Sequence, residues 1–316
     1  MIDSPITSML GIRYPVFQGG MAWIADGKLA AAVSEAGGLG IITAMNAGAA
    51  HLREQIAIAR SLTDKPFGVN LMLMSPCADE LAAVIAEEGV RVVTTGAGSP
   101  AKYMKQWQDA GVTVIPVVAS VAMARMMEKA GAAAVIAEGQ ESGGHIGELT
   151  TMALVPQVAD AVSIPVLAAG GIADGRGMAA SLMLGACGVQ MGTRFLVARE
   201  CTVHQTYKDM VLAASDVSTV TTGRRFGGNV CRCLKNAFSR NFLKLEYAPE
   251  ATAESIADLG VGALRRAAVE GDKASGCFLA GQISGMIKKE MTAAEIIEEV
   301  VTDCENILRG AARWVK

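Results

Sequence analysis

An α/β chain that closes eight β/α units into one barrel, followed by a helical C-terminal region, is the architecture this sequence predicts. Three features carry the expectation: a unit repeated through the first two thirds of the chain, apolar runs too continuous for half-exposed strands, and the end of that rhythm after Thr193. The unit is a polar, alanine-rich helical stretch, a glycine, and then an apolar run rich in Val and Ile. It recurs as SEAGGLGIIT, AEEGVRVVTT, QDAGVTVIPVV, EKAGAAAVIAE and LGACGVQMGT. Glycine ends a helix well because it enters positive φ without a Cβ clash, and an unbroken apolar run reads as a strand covered on both faces. With PVFQGG, FGVNLM and IPVLAAGG added, strands are expected to start near residues 16, 39, 67, 90, 113, 133, 164 and 188. An open doubly wound sheet is the alternative, but eight nearly even units with no charged, edge-like strand favour closure into a TIM barrel.

The expected division is residues 1–200 for the barrel and 201–316 for a helical region that packs back on it as a substrate lid. Within the latter, Thr292-Ala-Ala-Glu295 before IIEEVV is a capping box opening an amphipathic helix, a structural signal. The stretch from Val217 to Leu245 holds six bases (Arg224, Arg225, Arg232, Lys235, Arg240 and Lys244) and no acid. It reads either as a solvated helical face or as a docking patch for an acidic or phosphorylated partner.

Composition narrows the function. Of 316 residues 51% are apolar and only 4% aromatic, with a mean hydropathy of +0.35, so the chain buries a large aliphatic core and is not disordered. The longest uncharged stretches, Ala36 to Leu52 and Gly177 to Thr193, are 17 residues each and broken by four glycines, too short to span a bilayer. The N-terminus lacks the basic flank and apolar run of a secretory signal, so a cytoplasmic protein is expected. A net charge of −3 disfavours nucleic-acid binding. Seven scattered cysteines without a CxxC pair read as reduced thiols, and three distant histidines give no metal-ligand spacing, so no metal is expected.

In such a barrel the reactive groups sit where strands end. The first strand ends in Gln18-Gly19-Gly20-Met21-Ala22, where the glycines admit close backbone approach and Met21 offers a polarizable surface to a flat ring. Asn70 ends the third strand, with an amide that both donates and accepts; a plain turn-former fits it equally. The last two strands end in Ala169-Gly170-Gly171 and Met191-Gly192-Thr193. Consecutive amides there, the Thr193 hydroxyl and a helix starting near Asp174 would cradle a phosphate, although tight strand-to-helix turns use the same glycines.

The sixth strand delivers Glu138 and then a glycine-rich loop, Gly139 to Gly147, that carries Gly143, Gly144 and His145. Flanking glycines leave nothing apolar to pack an imidazole, and its near-neutral pKa suits proton transfer, so His145 is the candidate catalytic residue. His51 and His204 lie in polar helical stretches and are expected to be structural. Glu138 fits a general base, a metal ligand or an acceptor for a cofactor; Glu141 and Glu148 are expected to be solvated. No GxGxxG after a first strand, GxxxxGK[ST] or GxSxG occurs, so any redox chemistry needs a carrier other than a Rossmann-bound dinucleotide.

Taken together, QGGMAW, AGGLGIIT, KPFGVNLMLMSP, VVTTGAGSP, VIAEG with GGHIG, IPVLAAGGIADG, VQMGTRF and AGQISGMI resemble the FMN-dependent enoyl-acyl-carrier-protein reductases of type II (FabK type). These lie within the nitronate monooxygenase (2-nitropropane dioxygenase-like) family, and the resemblance runs over nearly the whole chain. Gln140 and Ser142 depart from the pattern of that family's loop. The resemblance implies FMN, its phosphate on Gly170, Gly171, Gly192 and Thr193 and its ring near Met21, Ala22, Asn70 and Glu138. It implies a ping-pong cycle in which NADH or NADPH is the electron donor and a trans-2-enoyl thioester on acyl carrier protein the acceptor, with His145 steadying the thioester carbonyl and protonating Cα. By analogy it implies a homodimer, and it leaves open a monovalent cation. The basic stretch would then receive the carrier protein, its pantetheine phosphate or the 2′-phosphate of NADPH. Two rival readings remain: a nitronate monooxygenase with the same FMN, and a flavin-free barrel lyase or isomerase acting on a phosphorylated metabolite through His145 and Glu138.

Overall fold

A computed structural model describes residues 2–44, 48–227 and 230–315. Its strands are β1 (Val16–Gln18), β2 (Gly40–Ala44), β3 (Phe67–Met72), β4 (Val92–Gly96), β5 (Thr113–Val118), β6 (Val135–Glu138), β7 (Gly144–His145), β8 (Val166–Ala169), β9 (Gly188–Met191), β10 (Thr219–Thr222) and β11 (Cys231–Leu234). Eight of them pair in parallel in the order β1-β9-β8-β6-β5-β4-β3-β2, with helices between, which is a TIM barrel. Each barrel strand begins within two residues of its expected start.

The ring closes at a thin seam. Between β1 and β2 there is one parallel bridge, Phe17 to Leu39, with Gln18 N donating to Leu39 O at 3.0 Å and Leu39 N to Val16 O at 2.9 Å. The Gln18 side chain, fully buried, extends this seam: its Oε1 accepts from Ile41 N at 3.1 Å and its Nε2 donates to Ile41 O at 3.2 Å. A side-chain amide thus stands in for the next backbone rung, satisfying groups that burial would otherwise leave unpaired.

Strand side chains alternate between faces, which sorts the barrel interior into layers. Phe17, Ile41, Val92, Ile115, Ile136 and Leu167 are fully buried in one apolar cluster. Ile6 and Leu10 join that cluster from the helix Pro5–Leu10, whose N-terminus is capped by the Ser4 hydroxyl. Further along their strands, β2, β3, β6 and β9 carry Thr43, Asn70, Glu138 and Gln190. The interior therefore changes from aliphatic to polar toward the C-terminal ends of the strands, and that change sets the floor of the site.

The C-terminal helix Ala293–Gly310 opens on the expected capping box: Glu295 N donates to Thr292 Oγ1 at 3.1 Å and Thr292 N to Glu295 Oε2 at 2.7 Å. It lies against the helices Gly175–Met183 and Gly27–Glu35, so it takes a place in the outer ring. A Cβ on Gly175 would come within 2.4 Å of Cys304 N, which shows how closely the two backbones approach. Between the barrel and this helix the structure differs from the expected run of helices and loops. TVTT and CRCL form β10 and β11, an antiparallel pair too short for its periodicity to stand out. No helix among the described residues is long and apolar enough to cross a membrane.

Candidate active site

At the C-terminal ends of the strands lies a cavity of about 540 Å³, within the range of small-molecule sites. Gly20, Met21, Ala22, Asn70, Glu138, Gly143, Gly144, His145, Gly170, Gly171, Met191, Gly192 and Thr193 all line it. The strand-end residues singled out in the sequence are therefore brought to one place.

On the floor, Asn70 Oδ1 accepts from Thr94 Oγ1 at 3.0 Å, which leaves the amide N–H groups of Asn70 as its available donors. Gly20 is required beside it, since a Cβ there would stand 2.3 Å from Asn70 Cβ. Glu138, at the end of β6, is only partly exposed, and burial pushes its carboxyl up to about 7. The nearby Ser142 hydroxyl offsets a little of this shift, although it makes no hydrogen bond of good geometry.

Beside Glu138, after β8 and β9, are the glycine turns. Gly170 and Gly171 have φ of +87° and +74°, a region that excludes most side chains, and a Cβ on Gly170 would meet Gly139 O at 2.6 Å. Thr193 Oγ1 accepts from Gly281 N at 2.9 Å, so its own proton remains free to donate. One expected contribution is corrected. The helix beginning at Gly175 has its first amides taken by the Asp174 carboxylate, which accepts from Arg176 N at 3.0 Å and Gly177 N at 3.3 Å. Asp174 lines a separate cavity of about 230 Å³ with Arg194 and Glu299, so that helix end is not part of the cradle.

His145 is held by pairing that the sequence did not reveal. In the antiparallel ladder between β7 and β11, His145 stands opposite Cys231 and Gly144 opposite Arg232, and Ile146 N donates to Val230 O at 3.0 Å. The three-stranded sheet β10-β11-β7 thus ties the histidine loop to the C-terminal third of the chain. The imidazole is among the exposed side chains, but that surface lines the cavity, and partial desolvation lowers its pKa, so the neutral ring prevails at pH 7.

Glu141, expected to be a solvated loop carboxylate, is instead half-buried and lines the cavity. Its carboxylate accepts from Thr151 N and Oγ1, capping the helix Thr151–Ala159, whose own N-cap residue Thr150 makes no side-chain bond. Thr151 Oγ1 also lies 2.9 Å from Gly170 O, and Glu141 O accepts from Gln282 N at 2.9 Å. Segment 280–282, from the AGQISGMI motif, is in this way clamped between Glu141 and Thr193.

The basic stretch does not form one patch. Arg232 is buried, donating to Gln140 O at 3.1 Å, and Arg225 donates to the carbonyls of Glu246 and Ala248 at 2.8 and 2.7 Å. Arg224, Lys235, Arg240 and Lys244 stay exposed. His204 caps the helix Gln205–Leu212 through Nδ1, and His51 lies 3.7 Å from Glu54, both outside the cavity. Among the described residues no group of three or more His, Cys, Asp or Glu side chains could hold a metal ion.

Known proteins are similar to this chain over most of its length. A family model described as nitronate monooxygenase matches residues 3–83 and 79–303. The solved structure of FabK from Thermotoga maritima is 48% identical with a TM-score of 0.96, and the match covers 100% of both chains. A 5-hydroxy-7a-methyl-1-oxo-octahydro-1H-indene-4-carboxyl-CoA dehydrogenase of Mycobacterium tuberculosis is 34% identical over 353 residues, covering 100% of this chain and 99% of that protein. A probable nitronate monooxygenase of Staphylococcus aureus is 32% identical over 351 residues, covering 96% of this chain and 98% of the relative. The chain belongs to the nitronate monooxygenase family, a family of oxidoreductases.

Proposed function

We propose that this protein is an FMN-dependent enoyl-thioester reductase that reduces the double bond of a trans-2-enoyl group on acyl carrier protein with NADH or NADPH. The observation that carries the reading is the position of His145, on an edge strand and lining the same cavity as a set of side-chain-free turns. The 48% identity to FabK over the full chain supports the same choice.

The residues present fit FMN. The cavity is large enough, and a Cβ on Gly192 would only touch Met21 Sδ at an ordinary contact distance of 3.7 Å, so the turn itself is not crowded. Among the described residues the hydroxyl of Thr43, in the cavity wall, has no hydrogen-bond partner. Gly170, Gly171, Gly192 and Thr193 would hold the phosphate through backbone amides and one hydroxyl. Met21, Ala22, Asn70 and Glu138 would face the ring, with Asn70 donating, and Gly143 and Gly144 would keep the histidine loop close to it. When bound, FMN supplies hydride transfer between the nicotinamide and the β-carbon of the enoyl group.

The protein's share is orientation and charge stabilisation. A neutral His145 donates its ring N–H to the thioester carbonyl, where negative charge grows as Cβ receives hydride. The same group, or a water it directs, then gives a proton to Cα and is reprotonated from solvent. Burial raises the Glu138 carboxyl to about 7, so its neutral form, which adds no charge to the floor, is populated near neutral pH. The exposed bases Arg224, Lys235, Arg240 and Lys244 would favour an acidic carrier protein. A homodimer and a cytoplasmic location are further parts of this reading.

A second reading, a nitronate monooxygenase, is favoured by the family model and by the Staphylococcus relative. The two separate in one series: the visible spectrum of purified protein, then anaerobic NAD(P)H titration, then addition of crotonyl thioester or of nitronate with oxygen. A flavin spectrum bleached by NAD(P)H and restored by the thioester supports the reductase. Oxygen uptake driven by nitronate without NAD(P)H overturns it, and a colourless folded protein points to a flavin-free lyase or isomerase.

A further inference from the structure

We propose that the cavity flank above β3, β4 and β5 is the site of the acyl chain, and that Met123 sets the chain length it accepts. This rests on the enoyl-thioester reading above and assigns a place to the part of the substrate that reading leaves unplaced.

The strand order fixes the layout. In a ring running β1-β9-β8-β6-β5-β4-β3-β2, β3 lies across from β8 and β4 across from β9. The glycine turns after β8 and β9 therefore face the ends of β3 and β4 over the mouth of the barrel, and His145, entering after β6, stands between the two sides. The cavity residues contributed by β3 to β5 and their loops include Met72, Ala97, Val117, Ala119 and Met123. Asn70, on the floor, is the one polar side chain in that set, and none of the set is charged. Ile146 closes the flank from the histidine side.

This chemistry selects its occupant. A nicotinamide dinucleotide offers hydroxyls, an amide and phosphates, for which the flank has only the Asn70 amide on its floor, and a small nitronate has no chain to fill it. Of the groups the proposed reaction brings to the cavity, only the acyl tail is wholly apolar. Each methylene it buries is worth about fourfold in affinity. Met123 is placed to respond to length: the Ser120 hydroxyl caps the helix Val121–Lys129 by accepting from Met123 N at 3.2 Å, which puts the flexible thioether in the first turn beside the flank. Ala97 holds φ +56°, a conformation unfavourable for an L side chain and characteristic of backbone kept in place around ligands.

The test measures binding as well as turnover. FMN-loaded protein and the variants Met123→Trp and Met123→Ala would be titrated calorimetrically with saturated butanoyl-CoA and decanoyl-CoA. Met123→Trp is expected to lower the ratio of decanoyl to butanoyl affinity by about tenfold or more, and Met123→Ala to raise it. Ratios unchanged in both variants, with native circular dichroism and full flavin content, would overturn the assignment. Shifted ratios in a protein that reduces no enoyl thioester would uphold the acyl site and reject the reductase reading, so the two ideas fail separately.

Discussion

The carboxylate of Glu141 takes both donors of Thr151, the amide at 3.0 Å and the hydroxyl at 2.9 Å, across ten residues that include the candidate catalytic histidine. Removing it frees the helix start at Thr151 and one anchor of the histidine loop together. Glu141→Ala is expected to lower stability by about 1–2 kcal/mol, the usual cost of a lost helix cap. It should also reduce kcat more than it raises KM, while Glu141→Gln, which keeps an acceptor, recovers much of both. Thermal melts paired with steady-state kinetics on the three proteins check this.

His145 is predicted to matter to one half-reaction only. His145→Ala should slow reoxidation of reduced enzyme by crotonyl thioester about 10²–10³-fold, the loss typical of one group that stabilises developing oxyanion charge. Reduction by NAD(P)H should stay near its original rate. Anaerobic stopped-flow absorbance resolves the two phases, and equal slowing of both would reject the assigned role.

The Glu138 carboxyl gives stability a defined pH dependence. Its pKa rises from an ordinary 4.5 to about 7 on folding, so the folded state binds a proton that the unfolded state has lost in that interval. The contribution is complete below pH 4.5 and disappears as pH rises through about 7. Relative to wild type, Glu138→Gln should therefore gain stability at pH 8 compared with pH 5. Denaturant midpoints of ligand-stripped protein at the two values give the comparison, and a pH-independent difference would contradict it.

Gln18 is predicted to be worth more than its small contact area. Gln18→Leu leaves the Ile41 amide and carbonyl without their side-chain partners inside the barrel, a loss of about 2–4 kcal/mol for two buried groups. Urea unfolding measures it directly.

For the cradle, Gly170→Ala should weaken FMN retention strongly. The added methyl meets Gly139 O at 2.6 Å, and the required φ of +87° is closed to alanine. Flavin fluorescence released on dialysis reports the loss, and Gly260→Ala, where a Cβ has open space, serves as the control.

Much of this molecule was legible because its signals are local. Strand starts could be placed from a glycine followed by an apolar run, and the cavity residues from the rule that barrels react at strand ends. What the sequence concealed depends on distant pairing. The β7–β11 ladder joins two residues to a segment more than eighty positions away, with no alternation in Gly144-His145 to announce it. Glu141 was read as solvated since nothing in its neighbourhood signals that Thr151 begins a helix lacking its own cap. The bases from 217 to 245 looked like one surface because charge counts carry no direction; Arg232 points inward and Arg224 outward. The only trace of Asp174 as a cap was its place one residue before a helix, the same feature that suggested a phosphate site.

Because the imidazole hangs from an edge whose other rung is Cys231, the proposed reacting group and the segment that steadies it are not separable parts. A chain cut after the eighth barrel strand would lose the splint that aims its histidine, together with the Gly281 amide bonded to Thr193 and the helix that completes the outer ring. Grafting or swapping the last hundred residues among relatives would then retune proton delivery without altering a single position in the barrel wall.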